Sequence, residues 1–187
     1  MRTEGKSSPS GIEIVEYDEQ WPEIFISLKQ VVESTLGDLM IGIEHVGSTS
    51  INGLGAKPIL DIDVVIEDYS FLPNVIEGLS RIGYFHQENW SYKGREAFGR
   101  KDTTVPWDGR NIIWMEHHLY VCHKDSEELA RHLALRDYLR KNPEYVVEYE
   151  QLKKCLSQTA KDRASYTLGK TDFINKILEK VNESPCE

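Results

Sequence analysis

The segment Pro58–Ile66, PILDIDVVI, is the most restrictive stretch of the sequence. Its run of branched aliphatics makes it the strongest strand signal in the sequence. Side chains on a strand alternate between faces, so Leu60, Ile62, Val64 and Ile66 form one continuous aliphatic surface that has to be core. The opposite face then carries Ile59, Asp61, Asp63 and Val65, with the two carboxylates about 7 Å apart at a rise of ~3.3 Å per residue. At that separation two anions repel by about 2 kcal/mol for an effective dielectric near 20. Burying them costs more unless something pairs with them. Either this face is half solvated, or a cation lies between the aspartates. Mg²⁺ (or Mn²⁺) fits the second case, because it takes one or two carboxylates and completes its shell with substrate phosphates and water.

The rest of the chain supplies a domain around this strand. With 187 residues, 40% of them hydrophobic, a real core can form in one unit, expected over residues 11–183. Residues 1–10, MRTEGKSSPS, have no apolar stretch and read as a disordered tail rather than a secretory signal. No run approaches the roughly 18 apolar residues that span a bilayer, so a cytoplasmic protein is expected. Twenty-two Lys and Arg stand against 31 Asp and Glu, a formal charge of −9, which disfavours broad nucleic-acid binding but leaves room for a local basic site. Three widely spaced cysteines, Cys122, Cys155 and Cys186, form no metal or disulfide framework and are expected to be reduced.

The pattern predicts a short strand at Ile12–Tyr17 and a helix from about Asp18, with Pro22 in its first turn and Gly37 at its end. Strands follow at Ile41–Val46 and in the Asp segment, then a helix ending near Gly83 and a strand start at Tyr84. Residues 88–112 show no clear period and read as irregular hairpins or a loop. Asn111–His123 reads as a further buried strand. Ser126 is placed to cap a helix running to Arg140. Asn142-Pro143 opens another helix, and a last one is expected over about Arg163–Val181. The fold class is α/β (α+β): a mixed sheet followed by C-terminal helices.

Thirteen residues before Asp61 stands Ser48, in a Gly47-Ser48 turn between a strand and a short helical segment. Such a turn aims backbone N–H groups and a hydroxyl at an anion. A phosphate-holding turn followed by Asp-x-Asp on a strand resembles the nucleotidyltransferase superfamily signature. More closely, IEHVGSTSINGLGAKPILDIDVVI resembles the GrpB family within that superfamily, and EYDEQWPEIF, HHLYVC, HLALRDYLRKNPE and DRASYTLGKTDFI extend the likeness from about Ile12 to Val181. The resemblance implies a polymerase-β-like nucleotidyltransferase fold, with Gly47 and Ser48 on phosphate and Asp61 and Asp63 on the metal. Relatives on this fold usually place a third carboxylate on a neighbouring strand. Alternation sets Glu116, His118 and Tyr120 on one face of Asn111–His123, and His117 on the other. Here either Glu116 supplies that carboxylate or His118 replaces it as ligand or general base, which its side-chain chemistry permits.

Lys57, at the entrance to the Asp strand, is a candidate phosphate ligand, as are Arg136 and Lys170, which lie in segments that carry the family likeness. His45 is read as fixing the turn. His132, Arg136 and Arg140 recur at i, i+4 and i+8, and Arg163, Tyr166 and Lys170 form a second stripe; Arg140 reads as a solvated charge. Trp90, Trp107 and Trp114 are core or base-stacking aromatics. Three readings of function follow. In the first, a metal-dependent enzyme transfers a nucleotidyl group from an NTP to a small molecule or protein acceptor. In the second, the fold binds a nucleotide or coenzyme without turnover, a reading helped by the fusion of GrpB-like domains to dephospho-coenzyme A kinase that the resemblance brings with it. The third is a metal-dependent phosphohydrolase using His117 and His118.

Overall fold

In the computed structural model, which describes residues 11–92 and 94–183, a five-stranded mixed sheet forms the centre. The strands are β1 (Gly42–Val46), β2 (Leu60–Ile66), β3 (Tyr84–His86), β4 (Glu96–Arg100) and β5 (His117–His123), in the order β1-β2-β5-β4-β3. The Asp strand β2 is central, antiparallel to β1 and parallel to β5. The expected tail at 1–10 lies outside the described residues.

Alternation dictates the core as expected. Leu60, Ile62, Val64 and Ile66 are all fully buried. They pack against helix α1 (Trp21–Leu36), through Leu28, Val32 and Leu36, and helix α2 (Leu72–Arg81), through Val75 and Leu79. Pro22 sits in the first turn of α1, and Gly37 ends it at φ +50°, a conformation that favours glycine. Against the other face lies α3 (Glu127–Lys141), whose Leu129 joins Val65 and Cys122. Ser126 caps it by accepting the Leu129 N–H. Helix α3 also packs with α4 (Pro143–Thr159) and α6 (Thr171–Glu183) around Leu139, Tyr149, Phe173 and Ile177. Cys122 is buried, Cys155 exposed, and both are free thiols.

Local pattern misleads in five places. Ile12–Tyr17 contributes one isolated bridge, Val15 to Ala56, rather than a strand. Residues 88–112 contain a true strand, β4, whose sequence EAFGR carries two charges and a glycine and so lacks a strand pattern. The buried strand expected from Asn111 begins only at His117. Asn142 does not cap α4; its side chain donates to Tyr138 O at the end of α3. The last helix is two: α5 (Arg163–Gly169), capped by Asp162, and α6. The break sits where Gly169 presses on α4, since a Cβ there would lie 2.5 Å from Leu156 Cδ2.

Candidate functional site

The carboxylate face of β2 is sealed at Asp63 and partly open to solvent at Asp61. Register pairs Asp61 with His118 and Asp63 with Tyr120 across the parallel β2–β5 ladder, so these four side chains share one surface. His118 Nδ1 donates to Asp61 Oδ1 at 2.9 Å. Asp63 is 0% exposed, and His132 Nδ1 on α3 donates to its Oδ2 at 2.6 Å. Each aspartate thus has its own histidine, and neither Lys57 nor Arg136 is the partner. Burial alone would lower the His132 pKa, but the hydrogen bond and charge of Asp63 raise it above the ordinary imidazole value. Asp63 Oδ1 is buried and has no hydrogen-bond partner among the described residues.

The Gly47-Ser48 turn lies directly on this face. Gly47 has φ +69°, and a Cβ there would come within 2.3 Å of Asp61 Oδ2. Only glycine lets the turn approach the carboxylate so closely. Ser50 Oγ donates to Gly47 O at 2.7 Å and His45 Nε2 hydrogen-bonds Thr49 Oγ1 at 3.0 Å, which fixes the turn from behind. Burial, with the Arg140 charge second, lowers the His45 pKa to about 4, so its ring is neutral. Arg140 is not simply solvated: its Nε and Nη2 both donate to Ser50 O.

Two cavities open beside Asp61 and share Ser48, Tyr120, Thr167 and Lys170. The first, about 240 Å³, is lined by Ser48, Asp61, His118, Lys57, Lys153 and Lys170. Lys57 and Lys170 lie 5.6 and 4.9 Å from the centre of the Tyr166 ring. Lys153, 1% exposed, donates to Gly55 O. Among the described residues, none of the three lysines pairs with a carboxylate. Burial, followed by the charge of Lys170, pushes the Lys153 pKa down to about 7. Burial, followed by the charge of Lys57, pushes Lys170 to about 8. Three cationic side chains that disfavour one another's charge thus line one open space, an arrangement that favours an anion. The second cavity, about 300 Å³, is more apolar, with Ile51, Leu135 and Ile174 beside Asp61, Arg95 and His132. A wider open groove of about 870 Å³, lined by Tyr17, Arg140 and Val147, holds neither aspartate and has no comparable chemistry.

The remaining sequence candidates are distributed unevenly. Arg136 lines the second cavity, but its guanidinium is taken up by Glu44, Asp137 and His45 O. Glu116 precedes β5, is exposed and lines neither cavity. His117 points away from the aspartates: Nδ1 donates to Met115 O, Nε2 accepts from Tyr84 OH at 2.6 Å, and burial lowers its pKa to about 4. The two histidines therefore do not converge, which removes the basis of a phosphohydrolase. Trp90, Trp107 and Trp114 line neither cavity; the aromatic walls are Tyr120, Tyr149 and Tyr166. Lys153 and Arg95 are the site residues that sequence reasoning missed.

Among the described residues no group of three or more His, Cys, Asp and Glu side chains is arranged to hold a metal. The donors present still fit one hard divalent cation, because Asp61 faces both cavities and the orphaned Asp63 Oδ1 lies on the same face. Mg²⁺ ordinarily needs no more than two carboxylates when phosphates supply the rest. No described helix is long and apolar enough to cross a membrane.

A family model described as "GrpB protein" matches residues 11–180. The glutamate-rich protein GrpB of Alkalihalophilus pseudofirmus is 33% identical over 90% of this chain and 94% of its own length. A UPF0157 protein of Halalkalibacterium halodurans is 31% identical over 96% and 88%. The crystal structure of GrpB from Enterococcus faecalis superposes with a TM-score of 0.74 at 32% identity, covering 90% of this chain and 96% of that one. A structure of Cid1, an RNA terminal uridylyl transferase, is similar at a TM-score of 0.52 and 12% identity over 76% of this chain and 42% of its own, a likeness of fold alone.

Proposed function

The chain belongs to the GrpB family, and on its nucleotidyltransferase-like α+β fold we propose that it transfers a nucleotidyl group from an NTP to a small-molecule or protein acceptor. The observation that carries this reading is the first cavity. There Ser48 of the Gly-Ser turn, Asp61 and three lysines that pair with no carboxylate among the described residues surround a space of polyphosphate size. The lysines and Ser48 hold the β- and γ-phosphates, and the Gly47 turn sets them against Asp61. Asp61 and Asp63 would hold Mg²⁺ or Mn²⁺, which when bound neutralises charge on the transferring phosphate and the leaving group. An acceptor oxygen attacks the α-phosphorus, forming one P–O bond as the α–β P–O bond breaks, and pyrophosphate leaves with the electron pair. The acceptor proton passes to His118, which Asp61 orients through Nδ1 and whose side chain is 45% exposed.

Thermal shift and calorimetric titration with the four NTPs and pyrophosphate, with and without Mg²⁺, test this directly. Polyphosphate is expected to raise the melting temperature by mass action. Lys57→Met and Lys170→Met should each weaken its binding about tenfold or more, the scale of a charge-assisted hydrogen bond. Indifference of the wild type to every nucleotide would sink the reading. A second reading, binding without turnover, is favoured by one feature: Asp63 is sealed behind His132, and among the described residues no third carboxylate joins the pair. Nucleotide binding with no release of pyrophosphate across a broad panel of acceptors would select it.

A further inference from the structure

Arg95 sits in an unusual position for a guanidinium. It lines the second cavity on the residue before β4, with its charge 4.1 Å from the centre of the Tyr120 ring and 4.5 Å from that of Tyr92. The two rings stabilise its charge but accept none of its hydrogen bonds. Its Nε is buried with no hydrogen-bond partner, and among the described residues it forms no ion pair. Arg136, in the same cavity, has its donors occupied by Glu44, Asp137 and a backbone carbonyl. Tyr92 is itself held in place, donating to Glu128 Oε2 at 2.8 Å. The rings thus fix a guanidinium at the wall of a cavity and leave its donor edge without a partner. A half-buried arginine with idle donors costs stability unless something planar and anionic completes it.

We infer that the second cavity is the acceptor site of the transfer, and that it takes an acceptor bearing a carboxylate or phosphomonoester on an apolar body, held by Arg95. This rests on the nucleotidyl-transfer reading, since it is Asp61, shared by both cavities, that places the acceptor beside the nucleotide. The chemistry of the walls agrees with it. Lysines surround the polar first cavity, where a flexible polyphosphate suits point charges. A fork-shaped donor set and aliphatic walls at Ile51, Leu135 and Ile174 line the second, where a single planar acid group on a carbon skeleton suits them better. Either a hydroxyl of such an acceptor attacks and gives up its proton, leaving the acid group unchanged, or an ionised carboxylate attacks with no proton to pass. In both cases one P–O bond forms as the α–β P–O bond breaks and pyrophosphate leaves with the electron pair.

The test uses the full chain and simple probes. Benzoate and phenyl phosphate report the two acid groups, and benzamide and benzylamine are the neutral and cationic controls. Each is titrated by calorimetry or ligand-observed NMR, with and without saturating Mg²⁺-pyrophosphate in the first cavity. One or both anions should bind while pyrophosphate is present and the controls should not. The stronger of the two identifies the acid class. Arg95→Met should weaken that binding about tenfold or more and leave pyrophosphate affinity within about twofold. Arg95→Lys, which keeps a charge but not the fork, should fall between, and guards against a folding defect in the first variant. Equal binding of benzamide, or anion binding untouched by Arg95→Met, overturns the inference. A matching loss of pyrophosphate affinity in Arg95→Met also overturns it, by moving Arg95 to the nucleotide side. Failure of the wild type to bind pyrophosphate while benzoate binds through Arg95 overturns the transfer reading and the acceptor role, and leaves an anion-binding module.

Discussion

Two walls of the same site handle charge in opposite ways. On the β2 wall each carboxylate has a dedicated histidine, Asp61 with His118 and Asp63 with His132, at hydrogen-bond distance. On the facing wall three lysines crowd together with no ion pair to a carboxylate among the described residues, and two of them are pushed toward neutrality. The difference separates charge that the fold satisfies for itself from charge it leaves to a ligand. The aspartates, which looked in the sequence like the costly feature, are compensated. The lysines, of which the sequence singled out Lys57 and Lys170 as candidate phosphate ligands and Lys153 not at all, are the strained ones.

The largest effect expected from this contrast is on the compensated wall. His132→Ala strips from a fully buried carboxylate its only hydrogen-bond partner among the described residues, and its other oxygen is already orphaned there. Breaking a buried pair by removing one member costs about 3–5 kcal/mol, and a domain of this size loses roughly 2–4 °C of melting temperature per kcal/mol. Chemical denaturation of the variant should show that loss in the midpoint. A change below about 1 kcal/mol would mean that Asp63 takes up a proton instead, and that the wall is not compensated by histidine.

How far this was legible in the sequence follows the same division. β2, its aliphatic face, the Gly47-Ser48 turn, the Ser126 cap and α1 are set by near neighbours, and alternation, spacing or cap chemistry exposes them. The partners of the charges come from far away in the chain. Asp63 meets a histidine 69 residues on, and Lys153 donates to a carbonyl 98 residues back. His132 showed up only as one member of a basic stripe on α3, because nothing local marks which charge on a helix turns inward. Lys153 had no signal at all: its neighbour Lys154 is exposed and pairs with Glu150, and the two read identically in sequence. Arg95 was hidden for another reason, since the irregular composition of 88–112 concealed β4 and with it the residue that β4 positions.

A middle-sized test asks whether the two aspartates, alike in sequence, differ as their burial says. Asp61 faces the cavities, and its pair with His118 is partly exposed. Exposed pairs contribute about 0–1 kcal/mol, so Asp61→Asn should leave the denaturation midpoint within about 1 kcal/mol of wild type. The same change should abolish any added stabilisation that Mg²⁺ brings to polyphosphate binding. Should Asp61→Asn destabilise as strongly as His132→Ala, both carboxylates would be structural and the cavity would have no functional acid.

The smallest effect is the most specific to the lysine wall. Lys153 titrates near 7 in the fold, first because it is buried and then because Lys170 repels it, against an ordinary lysine value of 10.5 in the unfolded chain. Between those values the unfolded state binds more protons than the folded one, so stability rises with pH across that window. Lys170, titrating near 8, adds a similar rise only from about that pH upward. From pH 7 to pH 8 the rise therefore belongs mainly to Lys153, and it amounts to about 1 kcal/mol for one group. Lys153→Met should remove that rise while leaving the fold intact, because it exchanges a buried cation for an apolar chain of similar length, at the expense of one hydrogen bond to Gly55 O. Polyphosphate should act on the same slope from the other side. An anion among the lysines favours their charged forms, so saturating pyrophosphate should flatten the wild-type rise. Its binding at pH 8 should take up protons, seen as a dependence of the calorimetric heat on the ionisation enthalpy of the buffer. Proton uptake that persists undiminished in Lys153→Met would show that another group carries it, and would return Lys153 to the compensated side of the comparison.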